Sequence, residues 1–478
     1  MPKVMSDSTA DKFIFYALFA LAASCVHPAI GLLLKFPVII YLVKRCDMKS
    51  LPALLILMLG KGNFRIFGGS AEFALRLGIT LTPTSLFVIC AFVFAILGVL
   101  RSKYDGGSKM FAFFWLLSAI PAFVISFQAK RYGLKGAWSI PIMTFFVPGV
   151  YYWGLSMART YEAGREYFVK RMIVMLTVFE VLYFGQIIYV FSFFHGTLLI
   201  CLAIYVMTDN RYRWGAARAL APIGVVAALA VLLFARRMQM EAAIAENYSA
   251  ADIASGDKFG STFSAMVNML CVFALVMCRK SLPKGLLRML PILMVVFNVC
   301  LVSFVIVTQS GNKAHDVGFK YETFTERFEM KLFGDRGYVW SMGWDEIKTP
   351  PYVFKDMRQV YVYGADGKQG MKLLPHNQFI TLLARQGLWL GGVLSIFIIW
   401  VWVRACKAMT FCMDDLLISM VFIPVGISIY FIGGLAGQAV VTHNLWAHST
   451  VCLVFPAIIY GHWLDRQRRG PFMPIRNR

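Results

Sequence analysis

The chain has 478 residues, of which 59% are hydrophobic, 15% aromatic and 15% charged, with a mean hydropathy of +0.66. Soluble proteins carry roughly a quarter of charged residues, so the composition excludes an ordinary water-soluble enzyme and implies a helix bundle within a bilayer. The formal net charge is +22, but the basic residues stand in short clusters between apolar runs. That is the pattern of the positive-inside rule, and it argues against nucleic acid as a partner.

The N-terminus, Met1 to Lys12, is short and polar, and the apolar run after it reads as a retained first helix and not a cleaved signal. Hydropathy predicts spans at 13–26, 28–43, 51–64, 81–100, 110–127, 137–157, 172–193, 196–208, 219–235, 261–278, 289–308, 378–402, 416–434 and 446–462. About 20 residues cross comfortably, so the short runs 51–64 and 196–208 are read as broken or re-entrant, and about 12 to 14 crossings are expected. The expected architecture is an all-α polytopic membrane protein. Its parts are N-terminal membrane helices (1–308), one large loop (309–377), C-terminal membrane helices (378–462) and a basic tail (463–478).

Under this list most basic clusters fall on alternate loops: Lys44/Arg45/Lys49, Arg101/Lys103/Lys109, Arg159/Arg165/Lys170/Arg171, Arg211/Arg213/Arg218, Arg279/Lys280/Lys284/Arg288, Arg404/Lys407 and the tail. That side is taken as cytoplasmic, with the C-terminus on it and the loop 309–377 outside. Lys130, Arg131 and Lys135 break the rule by falling outside. The ten cysteines lie mostly in or beside apolar runs with no zinc-type spacing, which predicts neither a disulfide framework nor a metal site. No internal repeat of the kind found in secondary transporters is evident.

Within the spans Glu180 is the notable ionisable residue, in the middle of 172–193. A carboxyl group in lipid is either a proton or cation relay or a packed, neutral hydrogen-bonding group, and the sequence leaves both open. In the large loop His376 stands after Pro375 and before Asn377, where a helix begins. Its imidazole has the right chemistry to take a proton from a hydroxyl nucleophile at the membrane boundary. Read alone it equally serves as a helix-flanking residue at headgroup level. Arg336, among Asp335, Tyr338, Trp340 and Trp344, presents a permanent charge able to hold a phosphate bidentately, or to pair with Asp335 or Glu346. Lys258, between glycines ahead of span 261–278, is a third external cation or a solvated loop lysine. Together these residues suit a substrate with a diphosphate at headgroup level and a lipid tail between helices, cations stabilising the charge on the departing diphosphate.

Two motifs carry a resemblance. Arg336-Gly-Tyr-Val-Trp340 opens the large loop, and His376-Asn377 is followed nine residues later by Gly387, then Gly391. In this order the chain resembles the O-antigen ligase and O-antigen polymerase superfamily, polytopic bacterial glycosyltransferases acting on the outer face of the inner membrane. The likeness covers about 255–402. It departs from the family pattern where Lys348-Thr-Pro-Pro351 replaces a Gly-x-Gly, where the second glycine falls one position late, and where Lys258 stands at the place of an Arg. The resemblance implies a metal-independent, cofactor-free transfer of a glycan from undecaprenyl diphosphate to an acceptor glycan. It implies His376 as the base or the residue that orients the acceptor, and Arg336, with Lys258, on the diphosphate. His443, in a second His-Asn pair, and His448 are secondary candidates, with Asn377 and Glu180. A polymerase is favoured over a ligase by the long loop. A transporter or flippase of polysaccharide intermediates is the alternative, and it requires ionisable groups at mid-membrane.

Overall fold

Ser6 opens the first helix, α1 (Asp7–Val26), by accepting the Thr9 N–H on its Oγ at 3.3 Å, as N-cap residues do. In this computed structural model the described residues are 4–59, 75–76, 80–100, 115–131, 145–185, 187, 192–231, 270, 274, 277–278, 281–309, 336–353, 361–363, 369–372, 377–422, 425 and 453–469. Pro28 begins α2 (Pro28–Arg45) at a position where its missing N–H costs nothing. The two helices touch backbone to side chain, since a Cβ on Gly31 would lie 2.4 Å from the Ser24 Cα. Cys46, at φ 52°, stops α2, and one 3-10 turn leads into α3 (Leu51–Met58). Asp47 fastens this corner to the N-terminus, accepting from Met5 N at 2.6 Å and Lys49 N at 3.0 Å.

The chain continues through α4 (Pro83–Leu100), α5 (Ala119–Arg131), α6 (Pro148–Met157) and α7 (Tyr161–Phe184). Next come α8 (Ser192–Thr208), α9 (Ala216–Ala230), α10 (Lys284–Gln309), α11 (Arg336–Lys348), α12 (Gln378–Met409) and α13 (Phe455–Arg469). Two short antiparallel ribbons, Leu75–Arg76 with Thr80–Leu81 and Tyr361–Tyr363 with Gln369–Lys372, add a little strand to the helices. Asp7–Val26, Lys284–Val307 and Gln386–Met409 are long and apolar enough to cross a membrane. They suggest a multi-pass membrane protein, and exposed apolar side chains such as Phe15, Phe19, Phe127 and Val307 fit a lipid-facing surface.

Several predicted boundaries need correction. The span expected at 172–193 is the helix Tyr161–Phe184, closed at Gly185. Its first turns are too polar to register as apolar, yet Glu162–Arg165 at 3.3 Å and Glu166–Lys170 at 2.6 Å support them at helical spacing. The run 51–64 yields only the eight-residue α3 before the described residues stop. The last helix continues to Arg469, so the basic tail begins as helix. Glu180 also has company: Lys35, inside α2 and 1% exposed, donates its ammonium to the Leu59 carbonyl.

The basic clusters within the described residues meet at one end of the bundle. Lys49 pairs with Asp7 at 2.5 Å and Arg171 with Asp11 at 2.6 Å. Arg165 and Arg211 both lie over the Tyr212 ring, at 5.3 and 5.9 Å. Arg288, in the first turns of α10, lies over Phe411 just beyond α12. The long run of α10 and α12 therefore starts and finishes here, and α11, which packs on the far part of α10, sits at the opposite end.

In the α8–α9 connection, buried Asp209 accepts from Arg211 N, Nε and Nη2 at 2.9, 3.0 and 2.8 Å. Burial alone would raise its pKa, but the hydrogen bonds from Arg211 outweigh it and hold the carboxyl below its usual range. A group depressed in this way stabilises the fold fully above its unfolded value of about 3.9, and the contribution is lost as pH falls through the lower folded value. Asp209→Asn is thus expected to lower the thermal midpoint by a constant amount between pH 5 and pH 8. The gap to wild type should close below about pH 4, as followed by thermal unfolding of detergent-solubilised protein.

Candidate functional site

The sequence-predicted site centres on the start of α12, and this helix is broken. Asn377 caps it, its Oδ1 accepting from Phe379 N and Ile380 N at 3.0 and 3.2 Å. At Gly387 the backbone turns to φ 76°, ψ 176°, a region open to glycine and costly for other residues. The chain folds back there: a Cβ on Gly391 would lie 2.4 Å from the Leu382 carbonyl oxygen, whereas nine residues along a straight helix are roughly 13 Å apart. Gln378–Gln386 is therefore a half-helix laid against the start of Leu388–Met409. The two N–H groups freed just after the break are not lost, since Leu388 N donates to Tyr352 O at 2.9 Å and Trp389 N to Val353 O at 3.4 Å.

The contacts of the half-helix give its direction. Asn377, at its start, donates Nδ2 to Asn298 Oδ1 at 3.2 Å, near the middle of α10. Ile380 and Ala384, further along, cluster with Val305, two turns nearer the far end of α10, and with Trp340 and Ile347 of α11. The half-helix thus runs away from the basic end, and its N-terminus lies roughly 13 Å deeper than its turn at Gly387. Two expectations are corrected here. The stretch 378–402 is a re-entrant half-helix plus the start of a span, and the helix opened by Asn377 begins deep in the bundle and not at headgroup level.

Arg336 is the first residue of α11, one turn before Trp340. Trp340 is buried in the cluster just described and anchors α11 against α10 and the half-helix. The indole N–H of Trp340 and the hydroxyl of Thr381 are buried with no hydrogen-bond partner among the described residues. His376, Lys258, His443 and His448 lie outside the described residues. The structure brings together the helix that Arg336 opens and the half-helix that Asn377 caps, through Trp340, Ile347, Ile380 and Ala384.

Glu180 does not join them in the described contacts. It is buried between α7, α8 and α9, with Oε1 3.6 Å from where a Cβ on Gly196 would stand and Oε2 without a partner among the described residues. Because α7 ends at Phe184, Glu180 lies one turn from the end of its helix and not at its middle. The neighbouring Thr177 hydroxyl faces Gly224, whose Cβ would come within 2.6 Å.

A second polar centre, at the basic end, was not foreseen from the sequence. Glu162, Asp415 and His462 bring one ligand atom each within 4.8 Å of one another. His462 Nε2 is 3.4 Å from Glu162 Oε1. Arg165 reaches Asp415 Oδ2 at 3.1 Å and Glu162 Oε2 at 3.3 Å, and the Tyr161 hydroxyl donates to Asp415 Oδ1 at 3.0 Å. Asp415 also accepts from Leu417 N and Ile418 N at 3.1 and 3.3 Å. The Arg165 guanidinium already pairs with both carboxylates and occupies an oxygen of each, so the donor set fits an ion-pair clasp better than a divalent metal. The partners are 250 residues apart for Arg165 and Asp415, and no local spacing signals them.

No protein-family model and no curated protein matches the chain. The far end holds the tryptophan-anchored helix opened by Arg336 and the turn at Gly387, and the N-terminus of the half-helix, next to His376 in the sequence, lies beneath them.

Two substitutions test the geometry. Gly391→Ala, driven against the Leu382 carbonyl, is expected to cost about 1–3 kcal/mol, while Gly392→Ala, with nothing within 4 Å of its Cβ, should leave the thermal midpoint unchanged. At the clasp, Arg165→Met strands two carboxylates and should cost about 3 kcal/mol. Neither zinc nor EDTA should move the wild-type midpoint by a comparable amount.

Proposed function

We propose that the chain is a glycosyltransferase of the O-antigen polymerase and ligase type, acting in the bacterial inner membrane during assembly of a cell-surface polysaccharide. It would transfer a glycan from undecaprenyl diphosphate to the hydroxyl of an acceptor glycan, with polymerase the preferred form. The observation that carries the reading is the meeting of the Arg336 helix and the Asn377 half-helix on α10, at the end remote from the basic clusters. By the positive-inside rule that end faces away from the cytoplasm, and the C-terminus lies on the cytoplasmic side. Exposed apolar surface on α10 and α12, including Phe297, Val299, Phe304 and Ile396, offers a polyprenyl chain a place beside the site.

In this reading the acceptor oxygen attacks the anomeric carbon of the donor sugar as the bond from that carbon to the diphosphate oxygen breaks. The proton of the hydroxyl passes to His376, and the electron pair leaves with the lipid diphosphate. Arg336, with Lys258, balances the charge that grows on the diphosphate, in the manner of other preorganised cationic sites.

The test uses purified protein in lipid vesicles with a synthetic polyprenyl-diphosphate oligosaccharide and EDTA. Wild type is expected to extend the glycan, and His376→Ala and Arg336→Ala at matched expression to lose roughly a hundredfold or more in rate. Product only on addition of a lipid A core acceptor would make it a ligase. Movement of the lipid across the bilayer without transfer would end the enzyme reading.

A further inference from the structure

We infer that Asn298 is a positioning residue for the proposed transfer, setting the depth at which the re-entrant half-helix begins; the inference rests on the functional reading above. Asn298 stands in the apolar middle of α10 and is 5% exposed. A buried amide costs free energy unless it is hydrogen-bonded, and inside a membrane helix it is placed to bind a neighbour. Here the neighbour is Asn377, 0% exposed, whose Nδ2 donates to Asn298 Oδ1 at 3.2 Å.

Both ends of the Asn377 side chain are thereby committed. Its oxygen takes the first free N–H groups of the half-helix, and its nitrogen ties the half-helix to α10. The remaining contacts, from Val305, Trp340, Ile380 and Ala384, are apolar and non-directional, so they allow the half-helix to slide or rotate. The amide pair does not, because a hydrogen bond fails within a fraction of an ångström. His376 is the residue before Asn377, so the register of Asn377 fixes where the chain carrying the proposed base enters the bundle. Leucine at 298 keeps the branched shape, though it is bulkier, and has no acceptor, so it would leave the Asn377 amide buried and unpaired.

The experiment is the same transfer assay, on the full chain in lipid vesicles, joined to thermal unfolding. Asn298→Leu is expected to lower kcat roughly ten- to a hundredfold, with the donor KM changed by less than about threefold because the diphosphate contacts are untouched. Asn298→Asp keeps both the shape and the acceptor oxygen and should recover most of the rate, while Asn298→Ala, which loses the acceptor without adding bulk, should not. In unfolding, Asn298→Leu and Asn377→Ala should be non-additive, as for residues in direct contact. Should Asn298→Leu fail to assemble, Asn298→Ser, too short to reach the Asn377 nitrogen, carries the same comparison. Additive unfolding effects would overturn the pair. Coupled unfolding with wild-type kcat in Asn298→Leu, while His376→Ala is inactive, would overturn the positioning role and leave the proposed function standing. Full activity of His376→Ala with loss in Asn298→Leu would remove the base and keep the positioning role, and full activity in both would overturn both.

Discussion

Lipid offers no water to a backbone N–H or C=O, so a chain inside it must satisfy those groups from protein. The break in α12 meets that constraint with three separate devices. Asn377 covers the start of the half-helix with its side-chain oxygen, glycine at 387 takes the turn, and the segment after α11 supplies Tyr352 and Val353 carbonyls to the N–H groups that follow. The last of these makes the large loop part of the membrane fold. Residues 352 and 353 cannot leave without exposing two backbone donors, and the half-helix cannot straighten while they stay.

Much of this was legible in outline. Apolar runs located α1, α2, α4, α10 and the long part of α12, and the Asn before a new apolar run correctly marked a helix start. The re-entrant turn was hidden because Gln378 to Trp402 is apolar throughout, and hydropathy does not register direction. Gly387 and Gly391 held the missing signal. One is needed for a positive φ and the other for a carbonyl passing at contact distance, and neither need shows in a window average. The displaced start of α7 has the opposite cause: Glu162, Arg165, Glu166 and Lys170 lower the hydropathy of turns that their own pairing stabilises. Lys35 escaped notice because one charge in the sixteen-residue run 28–43 barely moves the average, although the folded chain holds it against the Leu59 carbonyl.

The site was legible as chemistry and not as geometry. The Arg336 and Asn377 positions share the far end of the bundle as read from the sequence, but the depth of Asn377 depends on Asn298, an unremarkable polar residue in an apolar run. Nor could the clasp of Glu162, Arg165, Asp415 and His462 be read locally, because its members come from three distant segments and acquire meaning only when α7, the turn after α12 and α13 converge.

The two ends of the bundle are consequently held by different physics. At the basic end, charges pair across α1, α7, the turn at Asp415 and α13, and the exposed pairs among them weaken as salt screens them. From the middle of α10 to the far end the described ties of the half-helix are neutral, an amide on an amide and carbonyls on backbone N–H groups, in surroundings of low dielectric where such bonds strengthen and their loss is expensive. Salt therefore loosens the base of the bundle while leaving the half-helix in place. Among the described residues the ties around the half-helix are thus made by groups that carry no net charge, and screening by salt has no hold on them.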